Sequence, residues 1–302
     1  MSLKIIKSSE PIKVERLNVV LYAQPGVGKT TTANTAAKPL LLDFDRGAHR
    51  SANRKDSVQV GAWSEVTDIG EKDLEPYATV IVDTAGRALD ALSTDIIRRN
   101  PKLGRGGALT LQGYGALKAE FIAWLKMLNS FGKDVVLVAH MDEQRNGDDV
   151  IERLDVQGGS KGEIYKAADA MGRINIVQGK RLLMFSPTDA AFGKNPGQLD
   201  PLEIPRSDSP AFEGFLAGVI QQIKDKLNTL TEEQAAAQAL VESWRAKIAE
   251  LNTAEQFNAQ LASVKEQPKA IQALYAHAAD ALGLTFDKKA AKYAEAPQQA
   301  AA

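Results

Sequence analysis

The sequence predicts an α/β fold, a mainly parallel sheet flanked by helices, with a small helical region after it. Three observations carry this reading. Four short apolar runs bounded by turn residues read as buried strands: Val19 to Ala23, Pro39 to Phe44, Thr79 to Val82 and Asp134 to Ala139. Helical patterns fall between them, over 29–37, 87–99 and 114–131, the last with Leu117, Phe121, Trp124, Leu125 and Leu128 along one face. Strands alternating with helices imply parallel pairing, because a parallel neighbour is reached only through a crossover. Finally, the composition shifts after residue 210 to Ala, Gln, Glu and Lys with helical periodicity.

The remaining elements follow in order. Arg173 to Val177 and Arg181 to Phe185, separated by Gln178-Gly179-Lys180, read as a hairpin that extends the sheet. Residues 186–210 are rich in Pro, Gly, Asp and Ser and read as a closing loop or linker. Capping boxes at Thr231 with Gln234 and at Thr253 with Gln256 predict two helix starts. A further helix is expected from about Pro268 to Leu282, stopped by Gly283. Trp244, Ile248 and Leu251 form a helical stripe that reads as core. The low-complexity end, 288–302, reads as a disordered tail, so the expected organisation is 1–210, 211–287 and 288–302.

Composition excludes several classes. With 44% hydrophobic and 25% charged residues in 302, the chain has enough apolar material for a real core. Lys and Arg (37) nearly balance Asp and Glu (38), so any polyanion site must be local. There is no cysteine and there are only 3 histidines, which removes disulfides, thiolate chemistry and cysteine zinc sites. Neither an apolar run near membrane length nor a signal-peptide pattern at the start is present, so the expectation is a cytoplasmic protein without a membrane partner.

The chemistry concentrates in Ala23-Gln-Pro-Gly-Val-Gly-Lys-Thr30, which ends an apolar strand and opens a helix. This is a P-loop, with Ala23 where the first glycine usually stands. Gly26 and Gly28 let backbone N–H groups turn toward phosphate oxygens, Lys29 bridges the outer phosphates, and the Thr30 hydroxyl ligates magnesium. Gln24, Pro25, Val27 and Thr31 complete the expected nucleotide site. Asp83, ending Thr79-Val-Ile-Val-Asp83, supplies the Walker B carboxylate, expected on a strand neighbouring that of the P-loop. Thr84 follows it, so the base that orients water must come from elsewhere. Leu40-Leu-Leu-Asp-Phe-Asp45 offers Asp45 or Asp43, with an Asx cap of the next turn as the other role for each. His140, ending Val-Leu-Val-Ala-His, is a γ-phosphate sensor or a plain surface residue.

Two resemblances compete at these motifs. Gly28-Lys-Thr-Thr-Thr32 and Asp83-Thr-Ala-Gly-Arg87 resemble the signal-recognition-particle GTPases, but Ala139-His-Met-Asp142 lacks the lysine of their guanine motif. The order Pro-Gly-Val-Gly-Lys-Thr, Leu-Asp-Phe-Asp, Val-Asp-Thr-Ala-Gly, Gln112-Gly-Tyr-Gly115, Val-Leu-Val-Ala-His over about 15–190 resembles the RecA-like ATPases. Among them it is most similar to the phage-encoded Sak-type ATP-binding proteins of single-strand annealing and recombination. The resemblance implies a RecA-like ATPase domain over 1–210 in a bacterial host cytoplasm, with ATP and Mg2+ as cofactors. It implies Lys29, Asp45, Asp83 and His140 as catalytic residues and a homo-oligomer as the assembly.

In RecA-like proteins two loops bind single-stranded DNA. The first corresponds to Arg98-Arg-Asn-Pro-Lys-Leu-Gly-Arg-Gly-Gly107, where Arg98, Arg99, Lys102 and Arg105 track phosphates or form an ordinary surface. Tyr114 is a base-stacking candidate, with packing as its other role. The second, Glu143 to Glu163, is acidic in its first half, which argues against direct phosphate contact, and Lys161, Arg153 and Arg173 are each either ordinary surface charge, the favoured role, or a candidate to reach a neighbouring subunit's γ-phosphate. The C-terminal helices are candidates to dock a single-strand binding protein or nuclease. Two other functions stay open, a nucleotide-dependent switch on a protein partner and a helicase or helicase-loader subunit.

Overall fold

A computed structural model describes Leu3 and residues 5–146, 149–156 and 161–295. The first compact unit spans Val14–Leu227. Its strands are β1 (Asn18–Ala23), β2 (Pro39–Asp43), β3 (Ser57–Gln59), β4 (Thr79–Asp83), β5 (Gly104–Arg105), β6 (Ala108–Leu109), β7 (Asp134–Asn146), β8 (Asp149–Leu154), β9 (Ala170–Val177), β10 (Lys180–Met184) and β11 (Leu202–Glu203). Its helices are α1 (Lys29–Ala33), α2 (Ser64–Thr67), α3 (Ala85–Arg99), α4 (Leu111–Ser130), α5 (Lys161–Ala167) and the first part of α6 (Phe215–Ala249).

The main sheet runs β11-β10-β9-β1-β7-β4-β2-β3, with β8 on β7. β9, β1, β7, β4, β2 and β3 are parallel, while the β9–β10–β11 meander and the β7–β8 ribbon are antiparallel. Alternate strand residues face two separate cores. Val20, Tyr22, Leu42, Val82 and Leu137 pack with Leu92, Phe121 and Trp124 on one side. Val19, Leu21, Leu41, Ile81 and Val136 pack with Ala33, Leu183, Leu216 and Ile223 on the other. Burial on both faces is why these strands are continuous apolar runs rather than alternating ones.

Several expectations change. The strand of Asp83 does not neighbour that of the P-loop, because β7 lies between β1 and β4. Helix α1 stops at Ala33, not 37, since the Thr35 carbonyl and hydroxyl are taken by the N–H groups of Ala217 and Leu216 at the start of α6. The stretch from Glu143 is not a loop at first. β7 continues to Asn146 and pairs with β8, and an Arg173–Glu152 ion pair at 2.7 Å and the Glu152 N–H on the Ala190 carbonyl tie this ribbon to the sheet.

The second unit comprises 1–13 and 228–302. It holds the rest of α6, α7 (Ala254–Lys265), α8 (Lys269–Ala281) and a hairpin of β12 (Leu284–Asp287) and β13 (Lys292–Glu295). Thr231 starts no helix, because α6 runs through it and its hydroxyl donates to the Asn228 carbonyl at 2.9 Å. The box at Thr253 and Gln256 forms with both reciprocal bonds. Trp244 and Ile248 are core residues here, as their stripe implies. Part of the expected tail is folded: β13 is fixed by Asn258, which bonds both the N–H and the carbonyl of Tyr293, and the Tyr293 ring packs on Phe257 and Tyr275. Residues 296–302 lie outside the described residues. The first unit continues past the break expected at 210, because Leu216, Val219, Ile220 and Ile223 of α6 belong to its core.

One polar pair holds α6 to this sheet. Asp134 accepts from the Leu17 N–H at 2.8 Å and from Lys224 Nζ at 2.6 Å, and both side chains are almost wholly enclosed. Asp134→Ala strands a buried ammonium and is expected to lower stability by about 3–5 kcal/mol. Urea unfolding checks this, with Asp134→Ala/Lys224→Met recovering part of the loss.

Candidate functional site

The phosphate loop forms where β1 passes into α1. Gly26 (φ 80°) and Gly28 (φ 97°) both adopt the left-handed region, which turns the intervening N–H groups toward one point. Gly28 is also the residue that opens α1, so the helix's positive end joins the loop. Val27 packs on the core behind it. Lys29 is buried and folds back, donating to the carbonyls of Ala23 at 3.1 Å and Gln24 at 2.9 Å. Burial lowers its pKa, with Asp83 and Asp45 opposing that shift. The Gln24 side chain donates to Glu143 instead of entering the loop.

Insertion of β7 sets the cross-sheet geometry. Ala23 of β1 is level with His140 of β7, and Val138 of β7 is level with Asp83 of β4. His140 does not end its strand, which runs on to Asn146; it lies within β7, between the P-loop and Asp83, at the level where β1 and β4 end. Thr30 still reaches Asp83, its hydroxyl donating to Oδ2 at 2.5 Å. Desolvation raises the Asp83 pKa to about 6, against the pull of the Thr30 hydrogen bond. His140 is held below the ordinary histidine range by burial and by Lys29, and its Nδ1 is enclosed with no hydrogen-bond partner.

The two carboxylates ending β2 separate in role. Asp43 is fully buried and accepts the N–H groups of Gly47 and Ala48, both at 2.9 Å, which is the turn-capping role. Asp45 faces the cleft and pairs with Arg50 at 2.8 Å and Arg87 at 3.8 Å. A cleft of ≈ 540 Å³ unites Pro25, Gly26, Gly28, Lys29, Thr30, Thr31, Asp45, Asp83 and His140 with Arg50 and Ser51. Arg50 and Ser51 escaped sequence reasoning because they follow an irregular turn. The available signal was their position just after Leu-Asp-Phe-Asp-Arg-Gly.

Thr30 and Asp83 fit a magnesium ion, as they present a hydroxyl and a carboxylate of hard oxygen chemistry beside the phosphate loop. No cluster of three or more acidic or histidine side chains suited to a metal occurs among the described residues. The fit therefore suits an ion that takes its other ligands from phosphate and water.

The first basic segment folds as a turn and the β5–β6 hairpin. Arg98 and Arg99, in the last turn of α3, are both paired with Asp95 (2.6 and 2.7 Å), and Arg99 also with Glu120 at 2.6 Å. Lys102 lies in the turn and Arg105 on β5. Asn129 near the end of α4 bonds Asn18 at the start of β1, so α4 ends at the amino edge of the sheet. A 20-residue helix is about 30 Å long and a five-residue strand about half that, so α4 begins well beyond the carboxyl edge. The hairpin consequently stands on the phosphate-loop side. Tyr114 packs against the core. Arg173 is held by Glu152 and Arg153 lies over the Phe192 ring, both within the chain. Residues 157–160 and the Lys161 side chain lie outside the described residues.

Asp83 gives a signed prediction. Its raised pKa means the nucleotide-free fold loses stability as pH rises from about 4 through about 6, and the loss is complete above that. Asp83→Asn is expected to stabilise the nucleotide-free protein by roughly 1–3 kcal/mol at about pH 8 and by nothing at about pH 4. It is also expected to abolish the extra stabilisation by Mg–ATP. Urea unfolding at the two pH values, with and without Mg–ATP, measures both.

No helix among the described residues is long and apolar enough to cross a membrane. No curated protein matches the chain. A family model described as an AAA domain matches residues 15–196, which include the P-loop, both β2 carboxylates, Asp83 and His140. This is more than half of the chain, and the matched segment has the mainly parallel, helix-flanked sheet of a P-loop NTPase. The chain belongs to this family of AAA-domain, P-loop ATPases.

Proposed function

We propose that the protein binds single-stranded DNA and hydrolyses ATP with Mg2+, coupling the two during annealing or strand exchange in recombination, as the Sak-type resemblance implies. The observation that carries the reading is the β5–β6 hairpin with Lys102 and Arg105, which stands on the same side of the sheet as the phosphate loop. Two glycines with positive φ, Gly106 and Gly107, form its tip, where backbone can approach a phosphate chain closely.

The chain's own groups supply the hydrolytic chemistry. Lys29 exchanges its two carbonyl partners for outer phosphate oxygens, alongside the N–H groups of residues 26–30. Thr30 and Asp83 would hold magnesium, which would supply neutralisation of the charge on the phosphates. Asp45 orients water and accepts its proton at a carboxylate oxygen as the water oxygen bonds to the γ-phosphorus and the bond from that phosphorus to the bridging oxygen breaks, with ADP as the leaving group. Arg50 and Arg87 fix its orientation. His140, which lines the cleft on β7 between the strands of the P-loop and of Asp83, senses the terminal phosphate.

One observation favours a second reading, a nucleotide-dependent switch acting on a protein. Arg98 and Arg99 are already neutralised by Asp95 and Glu120, which halves the free charge expected of the DNA segment.

ATP turnover with and without single-stranded DNA tests the proposal. Stimulation is expected, with Lys29→Ala inactive and Asp45→Asn losing about 10²–10⁴-fold in kcat while still binding ATP. Lys102→Ala/Arg105→Ala is expected to remove the stimulation and leave basal turnover intact. Turnover indifferent to DNA would support the protein-switch reading instead.

A further inference from the structure

β10 carries a cation that the site described above does not use. Leu183 of this strand is buried in the core on the α1 side of the sheet, together with Ala33 and Ala36. Two residues earlier Arg181 has the same facing, because strand side chains alternate with period two. Its height follows from register. Tyr22 of β1 is level with Arg173 of β9, and Arg181 is opposite Ile176, three positions further toward the carboxyl edge. Arg181 thus rises past the end of the core to the level at which β1 gives way to the phosphate loop.

The guanidinium rests against that loop. A Cβ added to Gly28 would lie 2.7 Å from Arg181 Nη1, which places the guanidinium directly over the glycine of the loop. The other terminal nitrogen donates to the Pro205 carbonyl at 3.3 Å. Arg50 and Arg87 in the cleft each have an aspartate partner, whereas Arg181 has no carboxylate among the described residues. A fork of five donors with one carbonyl partner, set beside a turn of inward N–H groups, is suited to an anion.

We propose that Arg181 is a nucleotide-binding residue that contacts the α-phosphate, at the nucleoside end of the ligand. This rests on the ATPase reading. Asp83, Asp45 and His140 come from β4, β2 and β7, all on one side of β1, and they serve the terminal phosphate. Arg181 comes from β10 on the other side, so it meets the end of the nucleotide that points away from them. Nucleoside di- and triphosphates share that end. Arg181 therefore contributes the same binding to both and to the transition state, which changes affinity and not the chemical step.

The test uses the full chain, Mg2+ and fluorescent analogues of ADP and ATP. Arg181→Ala is expected to weaken both about tenfold or more, to raise KM for ATP in parallel and to leave kcat at saturation unchanged. Arg181→Lys, which keeps the charge but not the fork, is expected to recover part of the affinity. Arg181→Gln keeps the side-chain stem against the loop, and is expected to bind as weakly as Arg181→Ala. Parental affinity in Arg181→Ala and Arg181→Gln would overturn the assignment, as would a fall in kcat with KM unchanged. A parent protein that binds neither nucleotide would remove the ATPase reading itself and this inference with it, a result distinct from selective failure of the variants.

Discussion

The parallel strands are buried on both faces, and this burial dictates where chemistry can occur. β1, β2 and β4 are enclosed along their apolar runs, as β7 is from Val135 to Ala139, so polar side chains gather at the level where β1, β2 and β4 end. At the carboxyl edge the chain must also turn into helices, and those turns expose backbone N–H groups. The P-loop, Asp45, Asp83 and His140 sit together for this reason. The insertion of β7 between β1 and β4 adds one more condition. The Thr30 hydroxyl, on the helix that follows β1, reaches across to the Asp83 carboxylate on non-adjacent β4, and a histidine of β7 is left between the two strands.

Electrostatically, the site is unsettled without its ligand. Lys29 is buried with only carbonyl partners for hydrogen bonding, Asp83 is pushed toward its protonated form, and the His140 Nδ1 has no partner. Each of these features costs stability, and under the proposed function each would be relieved by phosphate and magnesium supplying the missing charges. Asp43, level with Asp83 on the neighbouring strand and as deeply buried, is satisfied by two backbone N–H groups. The contrast separates a structural carboxylate from a functional one at nearly the same place.

Much of this was legible in the sequence, for local reasons. Glycines flanking Val27 before Lys29 and Thr30 specify a turn with inward N–H groups, and an apolar strand ending in aspartate specifies an edge carboxylate. Strand order was not legible, because nothing local to Thr79–Asp83 tells which neighbour it will take. The partners of Arg98 and Arg99 were hidden for a similar reason. Asp95 is one turn back on α3, and Glu120 comes from another helix, while reading forward from Arg98 meets neither at once. Thr231 and Gln234 matched a capping pattern but lie inside a continuous helix, since a motif of two residues cannot outweigh unbroken helical propensity on both sides. The folded Lys292–Glu295 was obscured by low complexity, and its order depends on one buried tyrosine and its bonds to Asn258.

The central claim is that the strand-edge cluster is one phosphate site spanning four strands. A crystal structure with Mg2+ and a non-hydrolysable ATP analogue tests it most directly. The account predicts Lys29 released from the Ala23 and Gln24 carbonyls onto the outer phosphates, Mg2+ on Thr30 and Asp83, and the terminal phosphate within reach of Asp45 and His140. A nucleotide bound elsewhere, or bound with Lys29 still on those carbonyls, would contradict it.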